Sequence, residues 1–260
     1  MNLSKSWINR LFLAFLSLGL IILMAPPAPA VAVDPETTID SSIMLPSSAT
    51  FAFSSDQSPV TFECQLDLGG WVSCTSPTNF PALAVGSHTF EVKATNTDTL
   101  LVDLSPATHD WEVFSYRPDA RIKASRDLFF LGDDFYADEL YHDATNQTVQ
   151  ASVRRGGSVS YDIGMQNDGV DPDRFVVHGC RSSNGLAARY SAWGYNVTTR
   201  VVAGTYVTPV IPSGATLGLR LTISTSRYMA PRVQGCNISF ASVGDKTTYD
   251  WNRAETTVFK

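Results

Sequence analysis

The sequence has few of the features that accompany catalysis or nucleic-acid binding. After residue 32, no segment repeats apolar residues with the 3.6-residue period of an amphipathic helix. Basic residues are not in excess: 19 Lys and Arg stand against 25 Asp and Glu, which gives a net charge of −6 and argues against nucleic acid or an anionic membrane as partner. Only four histidines occur, and no Gly-x-Ser-x-Gly motif accompanies them. A hydrolase is therefore only a remote alternative.

The N-terminus has the layout of a secretory signal. Lys5 and Arg10 supply a positive region, residues 11–25 are an apolar run, and small residues before position 32 offer a cleavage site. An uncleaved anchor is the alternative, but this run is shorter than the roughly 20 apolar residues that a spanning helix needs. We predict a signal peptide over residues 1–32, no later membrane span, and a secreted or extracellular protein that can associate with the cell surface.

Alternation of apolar and polar residues dominates the rest of the chain. Within residues 61–67, Phe62, Cys64 and Leu66 share one face, and this period of two is typical of a half-buried strand. Further strands are expected in segments separated by Gly, Pro, Asn and Asp turn signals: 86–94, 100–104, 111–114, 159–165, 217–223 and 236–240. The pattern predicts an all-β protein with two Ig-like antiparallel β-sandwiches in tandem, over residues 33–114 and 120–260, joined by a linker at 115–119.

The four cysteines all follow the predicted signal and are expected to pair in an oxidising compartment. We predict the disulfides Cys64–Cys74 and Cys180–Cys236, because each pair falls within one predicted domain. Metal binding is the alternative, but the sequence contains no Cys-x-x-Cys motif and no histidine cluster beside either pair.

Exposed aromatic residues are candidates for ligand binding. Tyr190, Trp193 and Tyr195 cluster around Gly194, and large rigid rings can stack on sugars or on partner side chains. Ordinary burial in a sandwich core is the alternative for each ring.

Acidic residues suggest two weaker hypotheses. Asp168, Asp171 and Asp173 alternate around a turn and are weak calcium candidates, although the spacing of an EF-hand is absent. Two acidic pairs, Asp133–Asp134 and Asp138–Glu139, could serve glycoside hydrolysis, but a solvated loop is the preferred interpretation. We predict no catalytic residue, no metal and no cofactor.

Several motifs are similar to those of bacterial exoproteins. Residues 49–55 (Ala-Thr-Phe-Ala-Phe-Ser-Ser), 61–67 and 86–94 resemble, in order and spacing, a bacterial Ig-like repeat of secreted and surface proteins over residues 35–114. Gln-Asn-Asp-Gly at 166–169 and Pro-Ser-Gly-Ala-Thr at 212–216 resemble, more loosely, the CARDB-like adhesion-type sandwiches, over residues 117–260. The resemblance implies spacer, adhesion or accessory modules rather than catalysis.

The expected function is that of a secreted or cell-surface, non-enzymatic structural or adhesion protein. Its sandwich loops and edges would contact a protein or polysaccharide of the envelope or matrix. A carbohydrate-binding accessory protein that uses the exposed aromatic residues is the main alternative. The sequence predicts neither the ligand nor the oligomeric state.

Overall fold

The computed structural model describes residues 32–136 and 146–260. Residues 34–260 form one compact unit that consists mainly of β-strands. The predicted signal peptide lies outside the described residues, apart from its last residue. Within the described part of the chain, no helix is long and apolar enough to cross a membrane.

The first seven strands are β1 (Thr37–Leu45), β2 (Ser48–Ser55), β3 (Val60–Leu66), β4 (Val72–Cys74), β5 (Thr78–Phe80), β6 (Gly86–Asn96) and β7 (Ala107–Val113). They form two antiparallel sheets with the orders β1-β2-β5 and β4-β3-β6-β7. Inward side chains of the two sheets make one hydrophobic cluster, in which Phe51 of β2 stacks on Phe90 of β6 with ring centroids 4.2 Å apart.

The remaining elements are β8 (Pro118–Ala124), β9 (Thr148–Arg154), β10 (Ser158–Asn167), β11 (Phe175–Gly179), β12 (Leu186–Ala192), β13 (Tyr195–Asn196), α1 (Thr198–Val202), β14 (Tyr206–Val207), β15 (Thr216–Thr225), β16 (Arg232–Ser242) and β17 (Tyr249–Phe259). They form two five-stranded sheets with the orders β13-β12-β15-β10-β8 and β14-β11-β16-β17-β9. Every pair is antiparallel except β9 with β17, which is parallel. A second, larger hydrophobic cluster fills the space between these sheets.

The structure confirms the all-β fold and both predicted disulfides. Cys64–Cys74 joins the neighbouring strands β3 and β4, and Cys180–Cys236 ties the segment after β11 to β16. The division of the chain into two domains remains a prediction, since residues 34–260 form one compact unit.

Two local predictions were wrong. Residues 100–104 are not a strand, because Leu100 adopts a positive φ of 61° and only Val102 forms an isolated bridge, to Thr95. The predicted linker is shorter than expected, because β8 already begins at Pro118. Proline is tolerated there because it is the first residue of an edge strand, where a missing N–H breaks no essential ladder bond.

Candidate functional site

The outer face of the sheet β13-β12-β15-β10-β8 carries a row of polar side chains that crosses four strands. Asp162 of β10 lies opposite Lys123 of β8 on one side and Arg220 of β15 on the other, and Arg220 in turn lies opposite Ser191 of β12. The Arg220 Nε donates to Asp162 Oδ1 at 2.8 Å. The row follows from the alternation of side chains along each strand: the residues before and after Asp162 and Arg220 point into the core, so Asp162 and Arg220 point outward.

Next to this row, two neighbouring strands carry glycine at an outward position. Gly164 of β10 lies directly opposite Gly218 of β15, so two glycines meet across one ladder. A Cβ atom at Gly218 would meet nothing within 4 Å, whereas one at Gly164 would crowd Thr216 Cγ2 at 3.3 Å and Arg121 Cβ at 3.4 Å. Gly218 therefore leaves a low, open floor, whereas the Arg121 side chain, whose Nη2 donates to Thr216 Oγ1 at 2.6 Å, covers Gly164.

Two exposed aromatic residues stand on either side of this floor. Trp193 occupies the two-residue turn between β12 and β13, where it and Gly194 both have positive φ, and its side chain is 56% exposed. Phe130 lies in the loop after β8, which folds back along this edge strand through the pairing of Leu131 with Ile122. Together the walls and floor border an open cavity of about 470 Å³. We call it the aromatic groove; it is lined by Lys123, Phe130, Asp162, Ile163, Gly164, Ser191, Trp193, Gly194, Thr216, Gly218, Leu219 and Arg220.

Of the three aromatic residues predicted to bind a ligand together, only Trp193 lines the groove. Tyr195 is 76% exposed but is not among the lining residues. The prediction was wrong for Tyr190, whose ring is completely buried in the core. Strand alternation is the reason: in β12 the side chains of residues 186, 188, 190 and 192 point inward.

Sequence reasoning missed Phe130 and the glycine floor. The run Leu128–Leu131 could have indicated a binding surface, since four consecutive apolar residues in a loop are unusual. In the structure the first two of these side chains are more than three-quarters exposed. Gly164 and Gly218 were also visible as glycines at outward positions of two predicted strands, which often mark a close approach to the backbone.

A second cavity, of about 560 Å³, adjoins the same outer face and has an acidic lining. Its wall includes Asp133, Asp134 and Asp168, together with the tip of the β1–β2 hairpin. The Tyr136 hydroxyl donates to Asp168 Oδ2 at 2.7 Å, and Arg121 Nη1 donates to Asp133 Oδ1 at 2.8 Å.

Asp119 lies beside this acidic cavity and is completely buried. Neither of its carboxyl oxygens has a hydrogen-bond partner among the described residues, and Arg121 Nε is 3.9 Å away. Burial, followed by the nearby charges of Asp168, Asp250 and Asp133, raises the pKa of Asp119 to about 9, against the opposing effect of Arg121. The group is therefore a neutral carboxylic acid at pH 7. Burial also raises the pKa of Asp168, although hydrogen bonds from Tyr136 and Gln166 oppose the shift.

The three carboxylates of the calcium hypothesis do not converge. Asp168 accepts hydrogen bonds from Tyr136 and Gln166, whereas Asp173 is buried and accepts from Ser242 and the Gly244 main chain. The remaining residue, Asp171, contributes its main-chain oxygen to the Asn167 amide. In residues 32–136 and 146–260, no group of three or more His, Cys, Asp or Glu side chains has the arrangement of a metal site.

The histidine most deeply placed in the first sandwich is not arranged for catalysis. His88 Nδ1 lies 2.7 Å from Asp67 Oδ2 and its Nε2 lies 2.8 Å from the Ala84 oxygen. Both ring nitrogens thus face oxygen acceptors, which leaves neither to activate a hydroxyl nucleophile. The pair Asp138–Glu139 of the glycosidase hypothesis lies outside the described residues.

No family model matches the chain, and no curated protein does. Solved structures resemble it only distantly. They include BcpA, the major pilin subunit of Bacillus cereus (12% identity over 76% of this chain and 63% of that chain, TM-score 0.31), and fibronectin(III)-like modules of Clostridium thermocellum CbhA (9%, 86% and 94%, TM-score 0.29). The secreted serine protease VesC from Vibrio cholerae is a third (15%, 44% and 22%, TM-score 0.30), and this chain thus spans under a quarter of its length. Such scores carry no argument about function.

Proposed function

We propose that this protein is a secreted, non-enzymatic adhesion module that contacts a component of the cell envelope or matrix through the aromatic groove. The main support for this proposal is the exposure of Trp193 and Phe130 on opposite sides of a glycine floor. Large aromatic side chains that face solvent across a concave surface are typical of binding sites. The other outward positions on strands β8, β10, β12 and β15 are mostly polar residues or glycine, so the two rings are the natural anchors for a ligand there.

Two disulfides support a location outside the cytoplasm. Structural disulfides persist in oxidising compartments and are rare where glutathione keeps thiols reduced. All four cysteines are paired, and the signal-like N-terminus agrees with export.

The chemistry of the groove supports binding rather than turnover. Among its lining residues there is a single carboxylate, Asp162, which is held by Arg220, and there is no histidine. General acid–base or nucleophilic catalysis would need a second titratable group within reach of the same substrate.

Retention of the secreted chain on immobilised cell-wall fragments, matrix proteins and polysaccharides tests this proposal. Binding should be weakened by Trp193→Ala and unchanged by Tyr228→Ala, a matched control because Tyr228 is 87% exposed but does not line the groove. The proposal fails if no surface retains the chain, or if both variants bind as well as the parent chain.

A further inference from the structure

We infer that the ligand of the aromatic groove is a neutral polysaccharide chain, an inference that rests on the proposed function of this face. One face of a pyranose ring presents C–H bonds that carry partial positive charge. The π face of an indole or phenyl ring carries the complementary partial negative charge. Trp193 and Phe130 offer such surfaces at the two ends of the groove.

The position of Trp193 favours ligand contact over a structural role. It has a φ of 49° in a two-residue hairpin turn, a conformation that suits Asn, Asp or Gly better than a bulky residue. More than half of its side chain remains exposed, so the core gains little from it. A bulky residue that adopts an unfavourable backbone conformation without burying its side chain is characteristic of functional positions.

The width of the groove suits an extended chain. From β12 the sheet continues through β15, β10 and β8 to the loop of Phe130, which makes four inter-strand steps of about 4.8 Å, or roughly 19 Å between the backbones that carry the two rings. A short oligosaccharide laid across the strands can therefore place one sugar against each ring, with the glycine floor beneath the residues between them.

The polar row explains the preference for a sugar over an apolar protein surface. Asp162, Arg220 and Ser191 lie between the two rings, so Trp193 and Phe130 do not belong to one continuous apolar patch of the kind that a protein hot spot uses. Burying the Asp162–Arg220 pair under apolar side chains would cost desolvation energy, whereas sugar hydroxyls can replace its water molecules.

The charge of the row favours a neutral polymer. Asp162 offsets Arg220, and Lys123 Nζ donates to the Asp127 main-chain oxygen at 3.1 Å and lies 5.1 Å from the Phe130 ring centroid. Lys123 leaves the lining residues with one net positive charge, which is too little to select a strongly charged polysaccharide.

Titration calorimetry with soluble oligosaccharides of cellulose and chitin, together with pull-down on the insoluble polymers and on peptidoglycan, tests this inference. Trp193→Ala and Phe130→Ala should each weaken binding roughly ten-fold. Gly218→Leu should abolish binding, because its side chain would fill the groove from an open strand position without a clash at Cβ. Tyr195→Ala is the matched control and should bind like the parent chain, since Tyr195 is exposed but does not line the groove.

Unfolding curves show whether each variant folds. Binding to neither of the neutral glycans, cellulose and chitin, overturns the inference, and so does binding that Gly218→Leu leaves intact. If the chain instead binds a matrix protein in a Trp193-dependent way, the proposed function stands and the polysaccharide inference alone fails.

Discussion

The hydroxyl of Tyr190 lies 3.2 Å from both Cys236 Sγ and the main-chain oxygen of Cys180, so this ring packs on the disulfide of the second sandwich. The ring is completely buried and its neighbour Gly179 has no room for a Cβ, which would collide with the Tyr190 hydroxyl. Tyrosine, glycine and disulfide thus form one closely packed unit.

Substitutions in this unit should reduce stability to different extents. Tyr190→Phe should cost about 1 kcal/mol, because it removes one buried hydrogen bond and keeps the ring. Gly179→Ala should cost about 1–3 kcal/mol through overpacking. Urea unfolding of both single variants and the double variant is the measurement. The Gly179 cost should shrink in the Tyr190→Phe background, and full additivity would contradict the contact.

The two disulfides should contribute unequally to stability. Their sequence separations are 56 residues for Cys180–Cys236 and 10 for Cys64–Cys74. The chain-entropy model then gives about 4 kcal/mol for the long loop and about 3 kcal/mol for the short one. Urea unfolding of the two double-serine variants measures each contribution, and a larger loss from the short loop would count against this ranking.

Asp119→Asn should change how stability depends on pH. The pKa of this carboxyl is about 9 in the folded protein and near 3.8 when exposed, so between these values only the folded state holds the proton. The free energy of unfolding must then fall as pH rises from about 4 to 9, by at most about 1.4 kcal/mol per pH unit from this group. An asparagine cannot ionise, so the variant should gain stability over the parent chain as pH rises. If the free energies of unfolding of the variant and the parent chain change in parallel from pH 5 to 9, Asp119 is not the group that causes the pH dependence.

The ion pair between His88 and Asp67 should stabilise the fold only between the pH at which Asp67 takes up a proton and the pH at which His88 loses one. Burial alone would lower the pKa of His88, but the Ala84 carbonyl and the Asp67 carboxylate raise it above its usual value. Burial would likewise raise the pKa of Asp67, but hydrogen bonds from Thr89 and His88 lower it. A raised histidine pKa stabilises the fold fully below about 6.5 and loses this effect as pH rises through the folded pKa; a lowered aspartate pKa stabilises above about 3.8 and loses its effect as pH falls.

Asp67→Asn should therefore destabilise the protein more at pH 5.5 than at pH 8. Thermal unfolding at the two pH values is the measurement. The control is Asp110→Asn, which removes an exposed carboxylate that accepts from Thr89. If Asp67→Asn lowers the stability equally at both pH values, the His88–Asp67 ion pair is contradicted.

Much of the fold follows from alternation within the sequence. In β10 the side chains of Tyr161, Ile163 and Met165 are buried as predicted, because a half-buried strand must place every second residue in the core. The partners of each strand do not follow from this pattern. The parallel pair of β9 and β17 joins residues about 100 positions apart. Alternation of apolar and polar residues predicts that a segment is a strand, but it does not predict which strand pairs with it.

The candidate site was predictable only in part. Trp193 was found because it stands beside a glycine in a turn, and Tyr190 was misplaced because its position in the alternation of β12 was not used. The apolar run around Phe130 is visible in the sequence, but its position beside the groove depends on a loop that folds back onto an edge strand, which is a tertiary arrangement. The buried Asp119 likewise depends on the approach of Asp168 and Asp250 from distant segments.

The last strand, β17, has a ladder partner on each side, β16 and β9, along most of its length. Amide hydrogens of an edge strand exchange readily, because a single ladder holds the strand. Residues 253–258 of β17 lie between two ladders, so their hydrogen exchange reports the opening of the sheet rather than the fraying of one edge.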